Sequence, residues 1–289
     1  MPEPFLKWPG GKRWLVQQHA NLFPTSYIRY LEPFLGGGAV FFHLSPQRAV
    51  LSDTNAELIN AYKCIQQHPS LIDEQLRALH KQHSNGLYYR IRSMRPNDSL
   101  SRAVRFMYLN RTCFNGIYRV NLKGDFNVPI GSKDLVEYPA GYLENISASL
   151  STALLLLVDF EDTINRAGKG DFVYVDPPYT VMHNNNNFIK YNTKLFSWSD
   201  QLRLASAIRR AASRGAEIMI SNADNPSIHA IYRDFGNHYC INRFSVLAAE
   251  SLHRCKTTEL LITTYELMNI DKSHGILRRT LCRHADANA

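Results

Sequence analysis

Cysteine is sparse in this 289-residue chain and poorly placed for structural chemistry. Its five copies, Cys64, Cys113, Cys240, Cys255 and Cys282, are odd in number, scattered, and include no CxxC pair. That spacing offers neither a disulfide framework nor the usual zinc ligands, so no metal is expected. Long apolar runs are also missing. Residues 154–158, Leu-Leu-Leu-Leu-Val, fall far short of the roughly 20 residues that span a bilayer. The opening Met1-Pro2-Glu3-Pro4 lacks the basic-then-apolar pattern of a signal peptide, and the expectation is a cytoplasmic protein. No internal repeat is evident. Acidic residues are outnumbered, 25 against 33 Lys and Arg, for a formal charge of +8. Such an excess favours polyanions, because each cation set against a phosphate releases counterions. It equally fits a solvated positive face. With 45% hydrophobic and 20% charged residues, the chain can bury the core of one large domain or of a domain with an insertion.

What is present is a series of short apolar runs, each closing on a polar or glycine-rich turn. Residues 28–31 lead into Glu32-Pro33-Phe34-Leu35-Gly36-Gly37-Gly38, and 49–51 into Ser52-Asp53. Residues 154–158 lead into Asp159-Phe160, 172–175 into Asp176-Pro177-Pro178-Tyr179, and 217–220 into Ser221-Asn222. Such runs fit strands buried on both faces, as in a parallel sheet. Residues 199–214 are predicted helical, capped by Ser199, with Leu202, Ala205 and Ile208 inward and Gly215 as the stop. Alternating strands and helices indicate an open α/β sheet. Ligands bind such sheets beyond the carboxyl ends of the strands, where Glu32, Asp53, Asp159 and Asp176 fall.

The alternation lapses between residues 55 and 150. Helical periodicity (Ile59, Tyr62, Ile65, then Leu71, Leu76, Leu79) gives way to an irregular segment over 105–131, rich in Arg, Asn, Gly and aromatics. The expected organisation is a catalytic domain in two parts, 1–55 and 146–270, with an insertion at 56–145. A basic tail follows at 271–289, with Lys272, Arg278, Arg279 and Arg283, and is expected to be mobile.

Two clusters carry chemistry. Gly36-Gly37-Gly38 precedes a helical run at 39–44, allowing a tight turn and close approach of a nucleoside to the backbone. Asp53 lies 17 residues beyond Gly36, near the spacing of an acid that accepts ribose hydroxyls. It would serve equally as a cap for the helix that follows. In Asp176-Pro177-Pro178-Tyr179, two prolines stiffen the backbone and remove two N–H donors, leaving carbonyl acceptors. A carboxylate beside such a carbonyl can accept both hydrogens of an exocyclic amine and free its lone pair for an electrophile. Tyr179 offers a ring face to a base. A Pro-Pro turn with a capping Asp reads the same in isolation.

Together these segments resemble the Dam-type DNA adenine methyltransferases, in the motif order of the α group. Asp176-Pro177-Pro178-Tyr179 is similar to their DPPY, and Phe5-Leu6-Lys7-Trp8-Pro9-Gly10-Gly11-Lys12 to their FLKWAGGK, with Pro9 for Ala. Glu32 to Gly38 resembles EPF-x-G-x-G, Ser52-Asp53-Thr54-Asn55 resembles D-x-N, and 220–222 and 256–261 fall at matching strands. The likeness runs from Phe5 to about Tyr265. Asn110-Arg111-Thr112-Cys113-Phe114-Asn115-Gly116-Ile117-Tyr118-Arg119 resembles the target-recognition hairpin, and Gly124-Asp125-Phe126-Asn127-Val128-Pro129 is close to GEFNVP. Cys113-Phe114 replaces the commoner Gly-Tyr, and Ser132-Lys133 stands where relatives often have Arg-Tyr.

The resemblance implies a Rossmann-like α/β methyltransferase sheet, dependent on S-adenosylmethionine, with an inserted helical and β-hairpin target-recognition domain. It implies Asp176, Pro177, Pro178 and Tyr179 as catalytic residues. Trp8, Lys12, Glu32, Phe34, Gly36, Gly38, Asp53, Asp159, Phe160 and Asp176 would hold the cofactor. Lys7, Arg111, Phe114, Asn115, Ile117, Arg119, Lys123, Asn127 and Pro129 would contact double-stranded DNA. Arg119 can present two donors to guanine, Ile117 can pack on a thymine methyl, and Phe114 can fill a vacated stack unless it belongs to the local core. Arg111 and Lys123 suit phosphates. Trp8 and Lys12 could instead be a core Trp and a surface Lys. His183 and the run Asn184, Asn185, Asn186, Asn187, with Phe188 and Tyr191, are expected to order around a bound base. The expected activity is adenine-N6 methylation in GATC by a monomer. Asp at the first DPPY position argues against a cytosine-N4 enzyme, the duplex-reading hairpin against RNA, and the intact Trp8, Lys12, Asp53 and Asp176 against an inactive DNA binder.

Overall fold

A computed structural model describes residues 2–121, 124–180, 196–244, 256–267 and 276–278. Lys123, His183, Asn184, Asn185, Asn186, Asn187, Phe188, Tyr191, Cys255 and the tail apart from Ile276–Arg278 lie outside the described residues. In chain order the elements begin α1 (Arg13–Gln18), β1 (Arg29–Glu32), α2 (Ala39–Leu44), β2 (Ala49–Asp53), α3 (Ala56–Gln67), α4 (Pro69–Lys81), α5 (Asn85–Ser93), α6 (Ser99–Thr112) and α7 (Tyr142–Leu150). They continue β3 (Ala153–Leu157), α8 (Phe160–Ile164), β4 (Asp171–Val175), α9 (Trp198–Ser213), β5 (Glu217–Ala223), α10 (Pro226–Ile231), β6 (Asn237–Phe244), β7 (Lys256–Thr263) and β8 (Ile276–Arg278). Among the described residues, no helix is long and apolar enough to cross a membrane.

Two compact units divide the chain, one of residues 1–20 and 32–160, the other of 21–31 and 161–289. In the first, β2 and β3 pair in parallel from Ala49 opposite Ala153 to Asp53 opposite Leu157. Asn55 starts α3, its side chain accepting the Leu58 N–H at 3.0 Å, so the cap expected of Asp53 belongs to Asn55. Ile59, Tyr62 and Ile65 are buried as expected, and α3 packs against α6 and α7. Leu71, expected inward, is exposed, and Ile72 takes its place. The helical phase resets there, because α3 ends at His68 and Pro69 opens a new helix. Residues 105–112, read as irregular, are the second half of α6; helical packing outweighed a run of polar and aromatic residues. Leu154 and Leu157 are half exposed, correcting the expectation that β3 is buried on both faces. It is an edge strand, packed on α3 through its other face.

The second unit orders its strands β1-β4-β5-β7-β6-β8. The pairs β1/β4 and β4/β5 are parallel, while β5/β7, β6/β7 and β6/β8 are antiparallel. The parallel runs Phe172–Val175 and Ile218–Ile220 are fully buried, as continuous apolar composition requires. Helix α9 starts one residue earlier than expected. Ser197 and Asp200 form a reciprocal capping box, displacing Ser199 from that role. Leu204, Ala205, Ile208 and Ala211 form the buried stripe, and Leu202 faces solvent. The fold is mixed α/β and Rossmann-like, with parallel strands followed by an antiparallel hairpin, as the sequence predicts.

Candidate active site and nucleic-acid interface

In the first unit the glycine turn after β1 is tied to the end of β2. The Leu35 amide donates to the Ser52 carbonyl at 2.9 Å, and the Gly36 amide to Asp53 Oδ2 at 3.1 Å. Asp53 Oδ1 accepts from the Asn55 amide at 2.9 Å. Burial raises the Asp53 pKa, and the backbone N–H groups of Asn55, Gly36 and Thr54 oppose that rise. Each carboxylate oxygen has a second lone pair for a further donor. Gly36 has φ +48, and a Cβ there would stand 2.7 Å from Trp8 Cδ1, so only glycine fits between this turn and the indole. The Tyr62 hydroxyl donates to the Gly36 carbonyl at 3.2 Å from beneath.

Around this turn lie the other residues expected at the cofactor. Trp8 stacks on Tyr118, ring centroids 5.8 Å apart and planes 18° off parallel. Lys12 is only 3% exposed and donates to the Gly10 carbonyl at 3.1 Å, correcting the alternative of a surface lysine. Glu32 is buried as well. Phe34 and Phe160 stack at 5.4 Å, and Asp159 precedes Phe160 where β3 runs out. A glycine turn, an acid at the end of the next strand, a buried ammonium and a pair of stacked rings make a site suited to a nucleoside bearing a carboxylate.

The recognition segment is held by the same unit. It is a looser object than the expected β-hairpin: two isolated antiparallel bridges, Cys113–Ile130 and Val120–Phe126, replace a continuous ladder. Phe114 follows α6 in a short 3-10 turn through Gly116, and its amide donates to the Pro129 carbonyl at 2.9 Å. Buried Asn110 ties both ends together. Its Oδ1 accepts the Lys7 amide at 3.0 Å, and its Nδ2 donates to the carbonyls of Lys7 at 2.8 Å and Gly116 at 3.3 Å. Phe114 is 52% exposed and Ile117 39%, which removes the alternative of a core phenylalanine. Arg119, Asn115, Asn127 and Pro129 are exposed beside them in sequence. Asn127 Oδ1 accepts from Arg119 Nε at 3.0 Å. Arg111, expected at a phosphate, instead donates to the carbonyls of Leu135 and Glu137 and lies 4.0 Å over the Tyr138 ring. Its planar fork braces the strap at 135–138. Lys7 has a lowered pKa through burial and through the neighbouring charges of Lys133 and Arg111.

In the second unit Asp176 follows the last residue of β4, at the carboxyl end of a buried parallel strand. Burial, with Glu259 and Asp176 as neighbouring acids, raises the Tyr179 pKa well above its ordinary value. Ser221, at the end of β5, donates to Glu259 on β7, and both are buried. The register explains the meeting: Ser221 pairs with Leu261 and Ala223 with Glu259 across antiparallel strands. Thr180 Oγ1 donates to the Phe196 carbonyl at 2.6 Å and anchors the chain after the motif.

Residues 8–246 match the family described as D12 class N6 adenine-specific DNA methyltransferase. The chain belongs to that family. A type II methyltransferase of Lactococcus lactis subsp. cremoris, M1.LlaDCHI, is 39% identical over 91% of this chain and 95% of its own length. The type II methyltransferase M.MjaIII of Methanocaldococcus jannaschii is 33% identical over 92% and 98%. A DNA adenine methylase of Salmonella typhi is 33% identical over 89% and 93%. The Dam-type resemblance read from the motifs is therefore a family relationship, and this DNA adenine methyltransferase has a mixed α/β fold consistent with it.

Sequence reasoning passed over four residues that the methyltransferase places against these groups. Tyr62 reads as an ordinary helical core position, yet its hydroxyl meets the glycine turn. Tyr118 stacks on Trp8, Asn110 joins Lys7 to Gly116, and Glu259 meets Ser221 and Tyr179. Glu259 carried a signal, a carboxylate directly before the apolar run Leu260-Leu261-Ile262.

Proposed function

We propose that this methyltransferase takes its methyl group from S-adenosylmethionine and delivers it to adenine N6 in GATC in duplex DNA. The observation that carries the donor assignment is the glycine turn backed by Trp8, with Asp53 bound to the Gly36 amide and Lys12 buried. These groups fit the cofactor: Asp53 for the ribose hydroxyls, Lys12 and Trp8 for the amino-acid end, Phe34, Asp159 and Phe160 for the adenine. Gly36 and Gly38 allow close approach, and Glu32 lines the turn. When bound, S-adenosylmethionine supplies an electrophilic methyl group on a sulfonium.

The target base must leave the helix to be reached. Asp176 and the Pro177 carbonyl accept the two N6 hydrogens, which turns the nitrogen lone pair out of ring conjugation. Pro178 keeps the strand end rigid, and Tyr179 stacks on the base. The gain in rate comes from positioning and from acceptors already in place. The insertion at 56–145 reads the sequence. Arg119, oriented by Asn127, donates twice to guanine, Ile117 packs on a thymine methyl, and Phe114 fills the emptied stack. Lys7, Lys123, Asn115 and Pro129 border the same duplex.

Transfer of labelled methyl groups to duplexes carrying GATC and each single-base change tests the reading. GATC should be the best substrate, and Arg119→Ala should reduce discrimination at the guanine by about 1–3 kcal/mol. A better substrate among the changed duplexes refutes the specificity. Absence of transfer from S-adenosylmethionine refutes the donor.

A further inference from the structure

The transfer mechanism leaves one buried acid beside the catalytic motif unused. Glu259 lies on β7, between β5 and β6 in the sheet, and is only 2% exposed. Burying a carboxylate is costly unless donors meet it. Ser221 supplies one, its hydroxyl donating to Glu259 Oε1. The register sets this up. Ala223 stands opposite Glu259 and Ser221 opposite Leu261, so Ser221 and Glu259 are diagonal neighbours on one face of the sheet.

The second donor is Tyr179. The residue is only partly covered, yet its hydroxyl oxygen is buried, as is Glu259 Oε2. Tyr179 thus sends its polar tip into the protein without being closed off from solvent. The hydroxyl hydrogen-bonds with Glu259 and Ser221. Burial, with Glu259 and Asp176 as neighbouring acids, raises its pKa, so the phenol keeps its proton. Ser221 has one proton and gives it to Glu259, so toward Tyr179 it can only accept. The phenolic proton is therefore directed at acceptors on two adjacent strands, β5 and β7. An aromatic ring turns broadly about its second torsion. A phenolic O–H, however, lies in the ring plane because its oxygen conjugates with the ring. Acceptors fixed in direction therefore fix that plane. Phenylalanine would offer the same stacking face, so the buried hydroxyl calls for a role of its own.

We propose that Glu259, held by Ser221, is a positioning residue for methyl transfer, fixing through the Tyr179 hydroxyl the ring plane on which the target adenine stacks. This role rests on Tyr179 being the platform for the flipped base. Glu259 acts through Tyr179 and not on the base or the donor. It keeps the platform aligned with an amine held by Asp176 and the Pro177 carbonyl, and a misplacement of about 1 Å can cost about 10²-fold in rate. The competing role is purely structural, a buried hydrogen bond that joins the strand ends.

Turnover on the duplex that the enzyme methylates best separates the two. Glu259→Leu, similar in volume but unable to accept, should lower kcat by about tenfold or more. Tyr179→Phe should do the same, and both should leave KM for S-adenosylmethionine and DNA affinity in a gel shift unchanged. The double variant should be no slower than the slower single, because the carboxylate acts only through the phenol. Losses that multiply in the double variant refute that coupling, as does a normal kcat in Glu259→Leu. Tyr179→Ala, which removes the ring, should be slower still. A near-normal kcat there overturns the platform itself, and the role of Glu259 with it. If Tyr179→Ala is slow and Tyr179→Phe is not, the platform stands and the positioning role falls. Should Glu259→Leu fail to fold, Tyr179→Phe decides, and a kcat equal to the wild type refutes the role.

Discussion

Replacing Gly36 by alanine probes the donor turn through one atom. The φ of +48 places an L residue in the left-handed region, at about 1–2 kcal/mol. The added Cβ would also stand 2.7 Å from Trp8 Cδ1 and 3.0 Å from Nε1. The indole has little freedom to retreat, because it stacks on Tyr118 and its own Cβ lies against Gly37. Overpacking of this kind costs about 1–3 kcal/mol. Stiffening of the unfolded chain returns about 0.4–1 kcal/mol, leaving a net loss of about 1–5 kcal/mol by these terms. Gly10 is the matched control, with φ +78 and nothing within 4 Å of its ideal Cβ. Gly10→Ala should therefore cost about 1 kcal/mol or less by the same terms. Urea denaturation of both variants reads the difference, and calorimetry with S-adenosylmethionine reads the donor site in protein that remains folded. Gly36→Ala should lose both stability and donor affinity. Equal destabilisation of the two variants would show that Trp8 does not occupy the space assigned to it. Unchanged donor affinity in folded Gly36→Ala would refute the turn as the donor cradle.

Asp176→Asn should nearly abolish methyl transfer while leaving DNA affinity intact, because the amide loses the negative charge that favours the amine nitrogen as it gains positive charge and sets N–H donors where an acceptor oxygen stood; a transfer assay beside a gel shift checks this, and near-normal turnover would sink the mechanism. Asn110→Ala should cost about 1–3 kcal/mol in urea denaturation by leaving the Lys7 and Gly116 backbone groups without their partner. Cys113 is buried, and its pKa is pushed up to about 11 from an ordinary 9.0. The unfolded thiol loses its proton first as pH rises, so this stabilisation is full below pH 9 and is lost between pH 9 and about 11. Denaturation midpoints across that window should fall more steeply in the wild type than in Cys113→Ala, and parallel slopes would refute the assignment.

The strand ends were legible because buried parallel strands leave a plain record: a short apolar run, then a turn with an acid. Asp53 and Asp176 could be placed from that rule before any fold was known. Contacts made by helices were less legible. Ile59, Tyr62 and Ile65 were recoverable from periodicity, but the break at His68–Pro69 shifted the phase and put Ile72 inward where Leu71 was expected. Arg111 shows a different limit. A basic residue beside a recognition segment reads as a phosphate ligand, yet two backbone carbonyls and the Tyr138 ring claim it. Side-chain charge is visible in sequence, whereas the partner that takes it is a matter of tertiary packing.

The segment proposed to read DNA keeps its structural support apart from its exposed side chains. Phe126 and Val128 are buried while Asn127 and Pro129 are exposed, a strand-like alternation with only isolated bridges to keep it. Its anchors are instead the Tyr88 hydroxyl and Arg92, both donating to the Val128 carbonyl, and Asn110 donating to that of Gly116. None of those contacts involves the side chains of Phe114, Ile117 or Arg119. The groups that hold the segment are thus separate from the groups assigned to the bases. Cys113-Phe114 and Ser132-Lys133, where this chain departs from the commoner residues, fall on both sides of that division: Cys113 is buried, while Phe114, Ser132 and Lys133 are exposed. On the proposed function, substitution at the exposed three would change which duplex is preferred at little cost to folding, whereas substitution at Cys113 would act on the fold first.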